Sequence, residues 1–172
     1  MAEYFDLLSP TGKPLGITKE RNAVHRDGDW HPSVHIFVIQ GDRVLLQRRK
    51  WDKESFPGKL DLACTGHVDA GEDYLTAARR ELQEELNLAA GADDLRYQKL
   101  EVDADFGHGR FVSNEHCRVY LLNPTVPLTT LRYQAEEIDE LVWVDRHTDI
   151  TGADYCLLPA EWHKAMGLIF GA

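Results

Sequence analysis

The stretch GHVDAGEDYLTAARRELQEELNL, residues 66–88, decides how this chain folds. Its first part, Gly66 to Asp73, is rich in Gly and Asp, which favours an irregular loop. From Tyr74 onward Leu, Ala, Arg, Glu and Gln dominate, and these residues favour a helix. Asn87 stands where that helix should end, because Asn tolerates the left-handed backbone conformation that follows a last helical turn. The sequence therefore predicts a loop that leads directly into a helix.

The predicted helix carries two different faces. Apolar side chains recur at helical spacing and should face a core, at Leu75, Ala78, Leu82 and Leu86. Three carboxylates recur at i, i+3 and i+4 and share another face, at Glu81, Glu84 and Glu85. Like charges at this spacing destabilise a helix by roughly 0.2–0.5 kcal/mol per pair, and a bound cation removes that cost. Oxygen ligands of this kind suit Mg²⁺ or Mn²⁺.

A solvated acidic face, with Arg79 and Arg80 as ion-pair partners, is the alternative explanation for these glutamates. The complete spacing favours the metal explanation, because it closely resembles the Nudix box, whose positions are filled here by Gly66, Glu72, Arg80, Glu81, Glu84, Glu85 and Leu88. Asn87 replaces the Gly that is usual in that box and suits the same backbone conformation. The resemblance implies an α/β (α+β) fold, an αβα sandwich with a mixed central sheet, and metal-dependent cleavage of a diphosphate.

Length and composition set the broad class of the protein. The 172 residues are enough for a sizeable core and predict a single domain over residues 1–172. A net charge of −10, from 19 basic and 29 acidic residues, argues against a surface that coats nucleic acid. An anionic substrate therefore needs a metal or local basic residues. The three cysteines lack CxxC spacing, which indicates neither a disulfide framework nor a zinc motif.

The N-terminus has no signal-peptide pattern, and no apolar run reaches membrane-spanning length. These features, together with the odd number of cysteines, predict reduced thiols and a cytoplasmic location. The expected partner is a small-molecule diphosphate substrate, with no nucleic acid and no membrane. Either a monomer or a homodimer is compatible with the sequence.

Hydrophobic and turn patterns predict the elements around the box. Residues 1–30 should form an N-terminal extension, with a hairpin over Glu3–Gly16 and a helix over Lys19–His25 capped by Thr18. A hairpin turn is expected at Gly107–Gly109, and Pro159 should begin a final helix. Strands are predicted over His31–Gln40, Arg43–Arg49, Leu60–Gly66, Leu95–Phe106, Arg110–Leu122 and Glu140–Val144.

Segments outside the box narrow the resemblance to the branch around isopentenyl-diphosphate isomerase. The resemblance covers residues 3–146 and includes Glu3–Asp6, Pro14–Gly16, Val24–Arg26, Leu46–Arg49 and Pro57–Asp61. The isomerase has a catalytic Cys directly before its Gly-His pair, where this chain has Thr65. Cys64 lies one residue earlier, and one step along a strand turns a side chain to the other face. The missing thiol and the complete box both favour hydrolysis over isomerisation.

Several histidines also resemble the isomerase. His25, His31 and His67 stand where that enzyme has metal-ligating histidines, and Glu115 stands where it has a glutamate on a later strand. Ser113 replaces a second, metal-binding glutamate. Taken one at a time, each histidine is more often structural than a ligand, as is expected for His35. The sequence leaves open whether His25, His31 and His67 form a second metal site.

The resemblance assigns roles to individual residues. The Gly66 carbonyl, Glu81, Glu84 and Glu85 are expected to bind Mg²⁺ or Mn²⁺, and Glu72 is expected to pair with Arg80. The general base is expected among the carboxylates Glu84, Glu85, Glu115, Glu136 and Glu137. The substrate phosphates should contact Arg48, Arg49 and Lys53.

The predicted function is metal-dependent hydrolysis of a diphosphate linkage in a nucleoside diphosphate derivative or a related small molecule. An enzyme similar to isopentenyl-diphosphate delta-isomerase is one alternative. A domain that binds a phosphorylated ligand without turning it over is the other, although such a domain has no need of the intact glutamate set. Nothing in the sequence identifies the group attached to the diphosphate.

Overall fold

Nine strands and three helices make up the part of the chain that the structure describes. The structure is a computed structural model and describes residues 2–53, 56–108, 111–124 and 131–171. None of the helices in these ranges is long and apolar enough to cross a bilayer. The elements in chain order are β1 (Tyr4–Leu8), β2 (Pro14–Glu20), α1 (Arg21–Asp27), β3 (Trp30–Gln40), β4 (Arg43–Arg49), β5 (Leu60–Leu62), β6 (Cys64–His67), α2 (Tyr74–Leu86), β7 (Leu95–His108), β8 (Phe111–Leu122), β9 (Ile138–Asp145) and α3 (Pro159–Phe170).

A seven-stranded sheet with β3 at its centre organises the fold. The strand order is β5-β4-β3-β8-β7, with β6 paired to β3 and β9 paired to β4. Strands β3 and β8 run parallel, whereas the other pairs in this sheet are antiparallel. The sheet is therefore mixed, as predicted. Strands β1 and β2 form a separate antiparallel hairpin.

Helices cover both faces of the sheet, which confirms the predicted αβα sandwich. Alternate residues of β3 point to opposite faces. Val34, Ile36 and Val38 pack in one core with the buried residues of α2. Phe37 and Ile39 pack in a second core, which contains Trp162 of α3. Strand β3 therefore connects the two cores while its own backbone is paired on both sides.

Helix α2 begins and ends where the sequence predicts. The Asp73 carboxylate accepts hydrogen bonds from the backbone N–H groups of Leu75 and Thr76, which caps the first turn. Asn87 closes the helix in the left-handed conformation, with φ 51° and ψ 36°. Its apolar face is buried as expected at Ala78, Leu82 and Leu86, and Leu75 is half-buried against the same core.

The predicted start of the first helix is wrong. Thr18 does not cap it, because Thr18 lies in β2 opposite Asp6 and donates its hydroxyl hydrogen bond to that carboxylate at 2.6 Å. The strand continues to Glu20, whose side chain instead accepts from the N–H of Ala23. The helix therefore begins at Arg21, two residues later than the predicted Lys19.

Two other predicted boundaries also differ. The single strand expected over Leu60–Gly66 divides at Ala63, because β5 pairs with β4 whereas β6 pairs with β3. Gly107 and His108 belong to β7 and pair with β8, so the hairpin turn does not begin at Gly107. Gly109 lies outside the described residues.

The left-handed end of α2 provides a stability test. We expect Asn87→Ala to lower the free energy of unfolding by about 1 kcal/mol, because Cβ disfavours the left-handed conformation and Ala lacks the local hydrogen bonding of Asn. Asn87→Gly should keep nearly the full stability. Both variants lose the contact between Gln83 Nε2 and Asn87 Oδ1, so their difference isolates the backbone effect. Urea unfolding measures it, and equal stability of the two variants would contradict this explanation.

Candidate active site

A cavity of about 660 Å³ is bordered by α2, by β6 and by the segment that enters α3. Of the residues that the sequence assigns to the site, those that line the cavity are Arg49, Lys53, Gly66, Arg80, Glu81, Glu84, Glu85, Glu115 and Glu137. Glu72 lies behind Arg80 and is in contact with it. Carboxylates from α2, from β8 and from the loop before β9 therefore meet around one space.

Arg80 holds the acidic side of the cavity together. Its Nε and Nη2 donate to the two carboxylate oxygens of Glu72 at 3.2 and 2.9 Å. Its Nη1 donates to Glu81 Oε1 at 2.7 Å and to Glu84 Oε2 at 3.3 Å. Nη2 also donates to the backbone carbonyl of His67 at 2.9 Å. One guanidinium thus joins the loop before α2 to two of the three glutamates on the helix.

Glu85 is the carboxylate that Arg80 does not neutralise. Its Oε2 is buried and has no hydrogen-bond partner among the described residues. Burial, together with the neighbouring charges of Glu81 and Asp61, raises the pKa of Glu85 to about 8. The charged form of a buried carboxylate without a partner is costly, and a cation beside Glu85 would remove that cost.

Gly66 approaches the helix more closely than any larger residue allows. It pairs with Val34 of β3, and a Cβ at this position would collide with the carboxyl group of Glu81. Neither residue is free to retreat, because Arg80 holds Glu81 and the β3–β6 ladder holds Gly66. The Gly in the box is therefore required by contact with the carboxylate.

The three basic residues predicted to bind phosphate do not share one location. Arg49 and Lys53 line the cavity and are ion-paired there, Arg49 Nη1 with Asp61 Oδ2 at 3.4 Å and Lys53 with Glu137. Arg48 lies outside the cavity, where its guanidinium bonds Glu140 at 2.7 Å and Asp154 at 3.0 Å. The difference follows from strand geometry, since neighbouring residues of β4 point to opposite faces.

The loop before β9 brings Glu137 to the cavity. The backbone N–H of Gln134 donates to the Glu85 carbonyl at the end of α2, at 2.9 Å. The N–H of Glu137 then donates to the Gln134 carbonyl at 3.0 Å, which closes a turn. Glu136 is exposed and does not line the cavity. Of the two adjacent glutamates in this loop, only Glu137 therefore reaches the site.

Three histidines and a glutamate meet at one end of the cavity. The side chains of His25, His31, His67 and Glu115 each offer one ligand atom, and these atoms lie within 4.8 Å of one another. The Nε2 atoms of His25 and His31 are buried without a hydrogen-bond partner among the described residues. His31 Nδ1 lies 2.9 Å from the Asp29 carbonyl, and donation to that carbonyl leaves Nε2 as the acceptor.

The protonation states in this group suit metal binding. Burial, together with the charge of His67, lowers the pKa of His25 to about 3 and that of His31 to about 4. Burial alone would raise the pKa of Glu115, but its hydrogen bond with His67 and the charges of His67 and His31 hold it well below its usual range. Neutral imidazoles at His25 and His31 beside an ionised Glu115 are the ligand forms that a divalent cation requires.

Strand β6 carries Cys64 and Thr65, the two residues nearest the position of the catalytic Cys in the isomerase. Their side chains point to opposite faces of the strand. Thr65 lines the cavity, whereas Cys64 is fully buried in the core against α2. Burial raises the pKa of the Cys64 thiol well above its usual value. The structure therefore puts the Thr65 hydroxyl at the cavity wall and turns the neighbouring Cys64 thiol into the core.

Sequence reasoning missed several residues at the other end of the cavity. His35 Nδ1 lies 2.8 Å from Glu161 Oε1, and both side chains are buried. Burial raises the pKa of Asp61, which also lines this end. A signal for part of this set is present in the sequence, since His31, Ser33 and His35 alternate with apolar residues along one strand. Glu161 carries no such signal, because it comes from a helix far along the chain.

Comparison with known proteins agrees with this fold. The NUDIX domain family matches residues 29–150. Nudix hydrolase 3 of Arabidopsis thaliana is 40% identical over 179 residues, which cover 98% of this chain and 23% of that protein. An isopentenyl-diphosphate delta-isomerase of Ruegeria pomeroyi is 33% identical over 76% of this chain and 71% of its own length. The crystal structure of DR0079 from Deinococcus radiodurans has a TM-score of 0.62, at 25% identity over 84% of each chain.

The fold, with its acidic helix α2 at the edge of the cavity, and these matches together define a Nudix domain. This chain belongs to the NUDIX family. Isomerases of the same fold are among its relatives, which confirms the predicted branch. The chain spans 23% of the length of the Arabidopsis protein that it matches.

The raised pKa of Glu85 predicts how the metal-free protein responds to pH. Between its usual pKa of 4.5 and about 8, the folded protein keeps a proton on Glu85 that the unfolded chain has lost. Stability should therefore fall as pH rises through this interval. His25 and His31 have lowered pKa values and act in the opposite direction, but only below about pH 6.5.

The measurement is urea unfolding with chelator present, in steps from pH 6.5 to pH 8. Glu85→Gln should make this fall in stability shallower. Part of the fall should remain, because burial alone would lower the pKa of His35 but the charges of Cys117 and Glu161 hold it well above its usual value, so His35 acts in the same direction. Glu136→Gln is the control, because Glu136 is exposed in a neighbouring loop. The same pH slope with and without Glu85 would show that its proton is not retained on folding.

Proposed function

We propose that the protein hydrolyses a diphosphate linkage in a nucleoside diphosphate derivative or a related small molecule, with Mg²⁺ or Mn²⁺ as its cofactor. The observation that carries this proposal is the buried, unpartnered Glu85 oxygen beside Glu81 and Glu84 on the cavity wall. Nudix enzymes in general need divalent metals, and carboxylate oxygens are hard ligands. Membership of the family supports hydrolysis as the reaction.

Glu81, Glu84, Glu85 and the carbonyl of Gly66 are the groups proposed to hold this metal. When bound, the metal supplies positive charge to the diphosphate and a water molecule of lowered pKa. Arg80 keeps Glu81 and Glu84 oriented before the metal arrives, because it is hydrogen-bonded to both. Glu72 in turn keeps Arg80 in place through two hydrogen bonds, so its proposed role is positional.

Glu137 is the proposed general base. It lines the cavity from a loop outside the acidic helix, so its carboxylate is not required as a ligand there. In the structure it is paired with Lys53, which is also proposed to bind a substrate phosphate. A phosphate that attracts Lys53 would leave the Glu137 carboxylate able to accept a proton from water. Glu84, Glu85 and Glu115 remain the competing candidates for this role.

Arg49 and Lys53 are the proposed phosphate contacts, because both line the cavity. Arg48 is not proposed for this role, because it is bonded to Glu140 and Asp154 outside the cavity. Both cavity cations are already paired with carboxylates, Arg49 with Asp61 and Lys53 with Glu137. A diphosphate would therefore exchange these partners when it binds. Arg49 provides a planar fork that suits phosphate oxygens.

His25, His31, His67 and Glu115 are proposed to bind a further divalent cation. Orphaned Nε2 atoms, neutral imidazoles and an ionised carboxylate support this role. The aromatic ring of Phe5 stacks on His31 and His67 with centroid separations of 5.2 and 4.7 Å. The N-terminal hairpin thus closes over this group, and we propose that residues 1–30 and the remainder form one domain.

Isomerisation of isopentenyl diphosphate is the second candidate function, and the three-histidine group favours it, since related isomerases are among the relatives. Against it stands Thr65, which lines the cavity in place of the isomerase thiol, while Cys64 is buried in the core. Incubation with isopentenyl diphosphate in deuterated water tests it. Deuterium in an allylic product, retained in Thr65→Val, would favour isomerisation over the proposed hydrolysis.

We propose that the enzyme acts on a small molecule as a monomer or homodimer in the cytoplasm, with no nucleic-acid or membrane partner. The net charge of −10 supports the absence of a nucleic-acid or membrane partner, because an acidic surface repels nucleic acid and anionic lipid.

The hydrolase proposal is tested with a panel of nucleoside di- and triphosphates, nucleotide sugars, dinucleotides and prenyl diphosphates, each with Mg²⁺, Mn²⁺ or chelator. We expect metal-dependent release of phosphate or a monophosphate product. Glu84→Gln and Glu85→Gln should each lower that turnover by at least about a hundredfold. In chelator, Glu85→Gln should be at least as stable as the unsubstituted protein, because it removes a buried carboxylate whose Oε2 lacks a hydrogen-bond partner among the described residues.

Thermal unfolding with and without Mn²⁺ is a second measurement on Glu84→Gln and Glu85→Gln. The rise in melting temperature with Mn²⁺ should shrink in both, because fewer ligands bind the cation in the folded state. Full turnover together with undiminished metal stabilisation in both variants would overturn the metal assignment.

The assignment of the base is tested by a matched pair in one loop. Glu137→Gln should lower kcat by about a hundredfold or more and leave the Mn²⁺-dependent rise in melting temperature unchanged, because Glu137 acts on water and not on the metal. Glu136→Gln should retain full kcat, because its side chain is exposed outside the cavity. Equal kcat in the two variants would return the role to Glu84, Glu85 or Glu115.

A further inference from the structure

One face of the sheet carries a polar series that extends beyond the three-histidine group. Ser33 and His35 follow His31 at alternate positions of β3 and therefore share its face. Glu115 and Cys117 are alternate residues of the parallel neighbour β8, and the register sets His31 opposite Glu115 and Ser33 opposite Cys117. All of these side chains are buried. Buried polar side chains in such number require partners or ligands.

The two carboxylate oxygens of Glu115 face different neighbours. Oε1 lies 3.5 Å from His67 Nε2 and 3.9 Å from His31 Nε2, on the side of the three histidines. Oε2 lies 3.8 Å from Cys117 Sγ, on the side of His35. A carboxylate placed in this way is able to serve a cation on each side.

His35, Glu115 and Cys117 form a second group with the separations of a metal site. Each offers one ligand atom, and these atoms lie within 4.8 Å of one another. Metal–sulfur and metal–oxygen bonds of about 2.3 and 2.1 Å at a tetrahedral angle place S and O roughly 3.6 Å apart. The observed 3.8 Å between Cys117 Sγ and Glu115 Oε2 is close to that value. Small side-chain movements are therefore sufficient for coordination.

Two of these three residues have hydrogen-bond partners of the kind that orient metal ligands. His35 Nδ1 is bonded to Glu161 Oε1 at 2.8 Å, which leaves Nε2 as the ring atom for a metal, and the ring is also in hydrogen-bond contact with Cys117. Metal-ligating histidines typically donate their other N–H to a carboxylate in this way. Ser33 Oγ donates to Cys117 Sγ at 2.9 Å, and a sulfur that accepts a hydrogen bond suits a thiolate. Both supports come from residues outside the three-histidine group.

A cation has a route to this group from the cavity. His35, Glu115 and Glu161 line the cavity wall, and Cys117 lies fully buried directly behind them. A cation that enters between His35 and Glu115 therefore reaches the sulfur without crossing the hydrophobic core. The apolar residues of β3 that pack against α2 point to the opposite face and remain undisturbed.

We propose that His35, Cys117 and Glu115 bind a divalent cation of borderline-soft character, such as Zn²⁺ or Co²⁺, with Glu115 shared between this cation and the three-histidine group. Thiolate and imidazole ligands select such ions over Mg²⁺. The bridging role of Glu115 rests on the proposed cation at His25, His31 and His67. The site itself is independent of the carboxylates on α2.

Co²⁺ tests the proposal because thiolate coordination produces a sulfur-to-cobalt absorption band in the near ultraviolet, which imidazole and carboxylate ligands do not. We expect metal-stripped protein to develop this band on titration with Co²⁺. Cys117→Ser should abolish it, while Cys64→Ser and Cys156→Ser should retain it. Glu161→Gln should keep the band but weaken Co²⁺ binding by about 10–100-fold, as is typical when the partner of a ligating histidine is removed.

A second measurement avoids substitution of a buried residue. X-ray absorption at the zinc edge of the unsubstituted, Zn²⁺-loaded protein should detect a sulfur neighbour at about 2.3 Å. Absence of that sulfur, or a cobalt band that survives in Cys117→Ser, would overturn the site. The hydrolase proposal is judged separately, by Mn²⁺-dependent turnover and its loss in Glu85→Gln. Turnover without a sulfur neighbour would leave the proposed function intact and remove only this site.

Discussion

Repulsion among carboxylates is the constraint to which the rest of this structure responds. Glu81, Glu84 and Glu85 share one face of α2, and Arg80 on the same helix neutralises the first two. The Arg80 guanidinium reaches these oxygens because Glu72 and the His67 carbonyl hold it from the loop side. The loop conformation, the start of the helix and the spacing of the box therefore serve one electrostatic arrangement. Glu85 is left outside it, with a raised pKa that a cation would relieve.

The two cations proposed to contact phosphate are paired with carboxylates before any substrate enters. Arg49 is paired with Asp61, and Lys53 is paired with Glu137. A chain with a net charge of −10 thus presents cations that are already engaged. An anionic ligand is attracted only when it displaces these carboxylates or meets bound metal, which limits the retention of anions that lack a diphosphate. Selectivity on this view comes from exchange of partners more than from free positive charge.

The local parts of the fold follow from the sequence, and the non-local parts do not. The cap at Asp73, the left-handed Asn87 and the apolar face of α2 depend on neighbours within the same helix. Arg48 and Arg49 are adjacent residues of the same type. Only the alternation of side chains along β4 places Arg49 in the cavity and Arg48 outside it. His35 and Glu161 are 126 residues apart, so their contact requires the complete fold. The prediction of one strand over Leu60–Gly66 is wrong for a related reason, because its two halves pair with different strands of the sheet.

The two faces of strand β3 have different roles, because one packs in the core against α2 and the other lies beside the cavity. Positions 34, 36 and 38 fill the core against α2, whereas positions 31, 33 and 35 face polar groups around the cavity. Exchange of the second set alters the chemistry offered to a ligand without a change in the volume of that core. An inserted residue in this strand would interchange the two sets at once. On this strand, new specificities are therefore accessible through replacement of the side chains at positions 31, 33 and 35, whereas insertion is resisted.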